Sequence, residues 1–190
     1  MAAISTITSR APDRSLPSGS GLVTAVSLGL VKTRLSPVAG DSAAYHVCWQ
    51  RHARQAHASG SARTYVLVDD QRITGYFSLS VGQIDSLQAA ERVRKGMGSC
   101  PMPVVILARL AVSVADPGRS LGVGLLQDAI RRTLAVSDQV GVRALLTHPI
   151  DEAAARFYLR FGLETSPARE QQLILLLKDA QRLPQGGVSA

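Results

Sequence analysis

The chain has 190 residues, 46% of them hydrophobic, and a formal charge of +7 at pH 7. This fits one folded domain with its own core. No run approaches the roughly 20 apolar residues of a membrane-spanning helix, so a cytoplasmic protein is expected. Cys48 and Cys100 make no disulfide framework. His52 and His57 miss the four-residue step that stacks ligands on one helix face, so no metal site is expected.

Arginine supplies nearly all the positive charge, with lysine only at Lys32, Lys95 and Lys178. The guanidinium fork suits phosphate and carboxylate. A polyanionic partner and a plain bias of base composition both account for it.

Residues 1–21 are rich in Ser, Thr, Pro and Gly and read as a flexible tail. A domain is expected over 22–183, followed by a short tail at 184–190. Residues 22–35 read as one or two extended pieces, stopped by Ser36 and Pro37. Asp41 or Ser42 can cap a helix running through Trp49 to about His57, with Gly60 at its exit. A hairpin follows over Thr64–Val68 and Ile73–Val81, rich in β-branched and aromatic residues and turned by Asp69 to Arg72.

Asp85 or Ser86 then caps a helix with Leu87, Ala90 and Met97 near one face and Glu91, Arg92, Arg94 and Lys95 outside. Pro101 and Pro103 close that connection. The run Val104–Val114 is too apolar for a surface strand and reads as a central one. The loop 115–122 leads into a helix with Leu125, Leu126, Ala129, Ile130, Thr133 and Leu134 in one stripe, ending at Gly141. Ala144–Thr147 is a short buried strand. Asp151 begins a helix through Phe157 and Tyr158 that stops near Gly162, and Gln172–Lys178 is the last strand. An antiparallel hairpin followed by strand, helix, strand, helix and strand predicts one mixed α+β sheet with helices on its faces.

The segment from Asp116 to Gly124 carries the clearest chemistry. It is a Gly-rich turn between a strand and a helix start, where exposed amides and the helix macrodipole favour an anion. Gly124 is followed by Leu125 and Leu126, which excludes a Walker A loop. Glycines at 118, 122 and 124, with no acidic residue ending the strand at 147, exclude the dinucleotide fingerprint. The pattern Arg/Gln-x-x-Gly-x-Gly/Ala is met by Arg119, Gly122 and Gly124.

With that loop, the segments Ala58–Val66, Ile73–Leu79, Pro103–Val112, Asp151–Ala153, Arg156–Tyr158, Phe161–Glu164 and Ser166–Pro167 resemble the GNAT superfamily of N-acetyltransferases. Within it they resemble the TacT-like toxins of type II toxin–antitoxin systems. The resemblance implies a mixed sheet splayed at its centre with acetyl-CoA in the opening. Leu110, Ala111 and Val112 would pair with the pantetheine arm, and Gly118, Arg119, Ser120, Leu121, Gly122, Val123 and Gly124 would hold the pyrophosphate. Tyr158 matches the family's general acid. The implied acceptor is the α-amine of an aminoacyl-tRNA, whose acetylation blocks translation. A ribbon-helix-helix antitoxin and a homodimer are the implied partners. Pro117 and Ser120 depart from the family's usual Gln and Gly.

The residues read without the family leave Tyr158 as either a proton donor or a core aromatic beside Phe157 and Phe161. No general base stands out. An α-amine, with a pKa of about 7.7 to 8.0 against about 10.4 for lysine, needs one least. Arg92, Arg94, Lys95 and Arg109 are the expected tRNA contacts, with Arg51, Arg54 and Arg63 as further candidates. Acetylation of a protein N-terminus or small amine, and a non-catalytic acyl-CoA-binding partner protein, stand as alternatives.

Overall fold

The computed structural model describes residues 26–27, 52–69, 72–85, 91–96, 100–113, 120–166 and 169–181. Seven strands form one sheet in the order β1-β2-β3-β4-β5-β7-β6. They are β1 Val26–Ser27, β2 Arg63–Asp69, β3 Arg72–Ile84, β4 Met102–Val112, β5 Ala144–Thr147, β6 Glu164–Ser166 and β7 Arg169–Leu176. β4 and β5 run parallel, and every other neighbouring pair is antiparallel. Helices are α1 at 52–59, α2 Glu91–Arg94, α3 Leu121–Ser137, α4 Glu152–Leu159 and α5 Leu177–Ala180. Among the described residues no helix is long and apolar enough to cross a membrane.

Two-residue alternation divides the sheet into faces. Phe77, Leu79, Val105, Leu107, Leu145, Leu173 and Leu175 pack with Leu125, Leu126, Ala129 and Ile130 of α3 and Tyr158 of α4. The alternate residues Met102, Val104, Ala144, Leu146, Ile174 and Leu176 pack with Val93 of α2. Ala53 of α1 covers Val66, Ile73 and Tyr76.

α3 follows the apolar stripe expected of it, with one addition. Asp128 lies in that stripe, its side chain 1% exposed, and pairs with Arg131 and with Arg132 Nε at 2.9 Å. The Arg132 guanidinium lies 4.0 Å from the Tyr65 ring centre, and Tyr65 stacks on Phe77 at 5.0 Å. The buried carboxylate thereby ties α3 to the β2–β3 hairpin. Three- and four-residue spacing from Asp128 makes both pairings possible on one helix.

Several boundaries differ from expectation. β3 runs on to Ile84, beyond Val81, because β4 pairs with it as far as Met102. Pro103 lies inside β4 rather than closing a loop, and its carbonyl accepts the Arg143 amide at 3.0 Å. α2 buries Val93, not one of the expected apolar positions; Leu87, Ala90 and Met97 lie outside the described residues. α3 ends at Ser137, before Gly141. β6 had no sequence signal, and the apolar run that reads as one strand to Lys178 turns into α5 at Leu177. The expected tails at 1–21 and 184–190 and the expected cap at 41–42 lie outside the described residues, as do Trp49 and Cys48; Cys100 is exposed.

Candidate active site

The parallel ladder between β4 and β5 joins only Val104–Leu107 to Ala144–Thr147. β4 continues to Val112, held on its other side by β3 up to the Gly75–Val112 pair. Leu79 faces Leu107 and Ser78 faces Arg109, which leaves Ala108 as an extra, unpaired residue. A bulge of this kind bends its strand and strengthens the local twist. Beyond Leu107 the two central strands therefore part. Beyond Leu107 the side of β4 that faced β5 has no backbone partner among the described residues, so the alternate N–H and C=O groups of residues 108–112 that point to that side face the opening. Such an edge suits a ligand that carries amides. Leu110, Ala111 and Val112 are half-buried there.

The first turn of α3 lies beside the end of β4. A methyl group placed on Gly122 would lie 3.7 Å from Val112 Cγ2 and 3.8 Å from Phe157 Cζ. This turn therefore touches both β4 and α4. Ser120 precedes it at φ 52°, ψ 21°, and its hydroxyl makes no cap hydrogen bond. The Val123 and Gly124 amides donate to the Ser120 carbonyl at 3.0 and 3.2 Å. Gly122 and Gly124 are thus helix residues rather than loop residues. Among the described residues the Leu121 and Gly122 amides have no acceptor, and no acidic side chain lies in the first turn. The positive end of the helix is not neutralised from within, and an anion is the natural complement. Gly118 and Arg119 lie outside the described residues, as does Pro117.

α4 brings the third component. Asp151 caps it by accepting the Ala154 amide at 2.7 Å, which fixes the helix that carries Tyr158. Tyr158 is buried in the cluster that holds Leu107 and Leu145, and it meets Phe157 edge-on at 5.2 Å. Thr147 ends the β5 ladder, and its Oγ1 donates to the Leu107 carbonyl at 3.0 Å. The phenol therefore sits where β4 and β5 separate. Burial pushes its pKa above the usual 10.0, and the Thr147 side chain opposes that rise. At neutral pH it is a protonated donor.

The edge 108–112 and the uncapped turn at Leu121 and Gly122 fit acetyl-CoA, the first its pantetheine amides and the second its diphosphate. Among the described residues no group of three or more His, Cys, Asp or Glu could hold a metal ion. His148 is exposed, with Nε2 3.3 Å from Gln172 Nε2.

The basic residues differ in their surroundings. Arg92 is held by Glu164 and by Asp179, the latter at 2.7 Å. Arg94 is half-buried, and its Nε has no hydrogen-bond partner. Lys95 is exposed, and its carbonyl accepts Arg143 Nη2 at 2.8 Å. Arg109 is exposed beside the bulge with no ion pair among the described residues. Arg54 and Arg63 are exposed, and Arg51 lies outside the described residues. Thr147 escaped sequence reasoning; the available signal was a polar residue closing a wholly apolar strand.

A mixed sheet opened between its two central parallel strands, with a helix N-terminus and a buried tyrosine at the opening, is the GNAT acyltransferase architecture. No family model matches the chain. It is 40% identical over 134 residues to a tRNA-acetylating toxin of Mycobacterium tuberculosis (strain ATCC 25618 / H37Rv), covering 70% of this chain and 80% of that protein. The chain belongs to this family of acetyltransferase toxins. Among solved structures, a tyrosine-to-phenylalanine variant of KacT matches with a TM-score of 0.70 at 24% identity, over 78% of this chain and 90% of that one. AtaT complexed with acetyl-methionyl-tRNAfMet matches at 0.69 and 22% identity, over 75% and 87%. AtaTR bound with acetyl-CoA matches at 0.69 and 22% identity, over 84% and 96%. These likenesses bear on the fold.

Proposed function

We propose that the protein transfers acetyl from acetyl-CoA to the α-amine of an aminoacyl-tRNA, and that this blocks translation as a toxin does. The observation that carries the reading is the position of Tyr158, buried in the cluster of Leu107 near the point where β4 and β5 part and next to Phe157, which meets the uncapped first turn of α3. The relative's activity on tRNA supports the substrate class.

Acetyl-CoA supplies an activated acyl group on a thiol leaving group. The open edge of β4 at Leu110, Ala111 and Val112 orients the donor arm, and the Leu121 and Gly122 amides hold its diphosphate, with Gly118, Arg119, Ser120, Val123 and Gly124 completing that end. Tyr158 gives its proton to the sulfur as the C–S bond breaks. About a tenth of an α-amine is already unprotonated at neutral pH, so the acceptor needs little help from a base. Arg109, exposed and without an ion pair among the described residues, is the cation best placed to meet tRNA phosphate, with Lys95 and Arg94 contributing and Arg92 engaged by its carboxylates. The protein acts in the cytoplasm, where charged tRNA is found, as a homodimer restrained by a ribbon-helix-helix antitoxin.

The test is acetyl transfer to purified aminoacyl-tRNA, followed by mass spectrometry. Tyr158→Phe is expected to lower the rate by about 10²- to 10⁴-fold while acetyl-CoA still binds. An undiminished rate removes Tyr158 from the chemistry. Label appearing only in protein or small amines refutes the acceptor.

A further inference from the structure

Two consecutive aromatic residues of α4 serve different neighbours. Successive residues leave a helix about 100° apart, so Phe157 and Tyr158 point in different directions. Tyr158 is buried in the sheet cluster with Leu107 and Leu145. Phe157 is half-buried at the edge of that cluster, and its ring reaches the first turn of α3. A methyl group on Gly122 would lie 3.8 Å from Phe157 Cζ, 4.0 Å from its Cε2 and 3.7 Å from Val112 Cγ2. The rim of the ring, the end of β4 and the start of α3 therefore meet at one residue.

The glycine there is explained by space. Its φ is not positive, so the backbone does not require glycine. A methyl would just touch the ring, and a larger side chain would displace it. On its other contacts the Phe157 ring is braced by Tyr158, edge-on, and by Phe161, tilted, each at 5.2 Å between ring centres. α4 is fixed at its start by Asp151, which accepts the Ala154 amide at 2.7 Å, and in its last turn by burial of Tyr158. Its separation from α3 is then set by the side chain that fills the gap at Gly122.

We propose that Phe157 is a positioning residue, a spacer that fixes the distance between the first turn of α3 and the Tyr158 phenol. The role rests on the reading of the Leu121 and Gly122 amides as the diphosphate site and of Tyr158 as the proton donor to sulfur. Acetyl-CoA is one covalent body, so its diphosphate and its thioester sulfur cannot be placed independently once its arm is paired along β4. A protein that holds one end at α3 and reacts at the other from α4 needs the two helices at a matching separation. Misplacement by about 1 Å costs up to about 10²-fold in rate. Phe157 makes no bond to the reacting atoms and moves no proton; it acts through Tyr158.

The experiment measures acetyl transfer to aminoacyl-tRNA by the full-length wild type, Phe157→Leu and Tyr158→Phe. Two donors are compared: acetyl-CoA, and S-acetylpantetheine, which keeps the thioester arm and lacks the diphosphate. Leucine shortens the spacer. With acetyl-CoA its kcat is expected to fall about 10- to 100-fold, while KM and the calorimetric affinity for CoA stay within about threefold. With S-acetylpantetheine, which α3 does not hold, kcat/KM should stay within about threefold of the wild type. Comparing two donors in one protein cancels any loss of folded material. Equal losses with both donors, or no loss with either, overturn the proposal and leave Phe157 a core residue.

A second arm decides the matter if S-acetylpantetheine is too slow a donor for the wild type. In Phe157→Leu/Gly122→Val the valine methyls refill the vacated space. Recovery of acetyl-CoA turnover by at least about fivefold over Phe157→Leu supports the spacer; no recovery overturns it. If leucine prevents folding, Phe157→Met takes its place in both arms. Full activity in Tyr158→Phe, or no transfer to aminoacyl-tRNA by the wild type, instead removes the reading beneath it.

Discussion

Replacing Gly75 with alanine tests whether α3 is seated on the sheet by close contact. Gly75 lies in β3 opposite Leu67 and Val112, and its φ is not positive, so the backbone itself accepts alanine. The added methyl would stand 2.7 Å from Leu125 Cδ1 and 3.1 Å from the Ala111 carbonyl oxygen. Leu125 is fully buried in the main cluster, and the carbonyl belongs to the β3–β4 ladder, so neither yields cheaply. Overpacking of this kind costs about 1–3 kcal/mol. Loss of glycine freedom in the unfolded chain returns about 0.4–1 kcal/mol. The net expectation is destabilisation of about 1–2 kcal/mol, read as a lower urea midpoint at unchanged slope.

The mechanism has its own check. Leu125→Ala alone should cost about 2–5 kcal/mol through the cavity it leaves. In the double variant the Gly75 methyl enters that cavity, so the combined loss should fall short of the sum by at least about 1 kcal/mol. Leu125 lies one turn from Leu121, so the single Gly75→Ala change should also weaken acetyl-CoA binding by up to about tenfold, as displaced binding groups do. A Gly75→Ala protein as stable as the wild type, or strict additivity with Leu125→Ala, would refute the seating argument.

Two further substitutions separate roles that the sequence merges. Arg92→Ala should cost no more than about 1 kcal/mol, since its ion pairs are exposed, and leave the salt dependence of tRNA binding unchanged. Arg109→Ala should leave stability within about 0.5 kcal/mol and lower the salt slope by about 1; the reverse pattern in filter binding would exchange their assignments. Ser120→Gly should stabilise the fold by about 0.5–1 kcal/mol, because the strain of φ 52° is worth about 1–3 kcal/mol and glycine's extra unfolded freedom offsets part of it. No cap hydrogen bond is lost, so a lower thermal midpoint would contradict the strain argument.

What could be read from the sequence follows from periodicity. Ala144–Thr147 is buried along its whole length, and Asp151 caps α4 as its position suggested. The stripe Leu125, Leu126, Ala129 and Ile130 packs as one face. Where burial ceases to alternate, the reading fails. Val81 is 78% exposed within β3, so the strand's continuation to Ile84 has no local signature. Leu173–Leu177 is uniformly apolar, and α5 begins inside it at Leu177 with Leu176 offering no side-chain cap, leaving no mark of the turn. β6 is held to the sheet by β7 alone, in three residues. Gly122 and Gly124 read in the sequence as part of an anion loop, but their place inside α3 depends on where the helix begins. The bulge at Ala108, which opens the sheet, is invisible because one inserted residue in an apolar run changes no pattern on its own.

The two ends of the opening are built by different means, and their tolerance to change differs accordingly. The end at Tyr158 is built from tertiary contacts: Thr147 donates to the Leu107 carbonyl across the last rung of the β4–β5 ladder, and Tyr158 is buried in the same cluster as Leu107. The anion end relies on main-chain amides, which any side chain at 120 or 121 leaves in place provided the helix still starts there. Ser120, one of the departures from the family pattern, falls on the anion end. On the proposed function, a change at Ser120 should show in acetyl-CoA affinity and a change at Tyr158 in turnover. Amides presented at a helix start tolerate sequence drift; a proton donor supplied by one buried side chain does not.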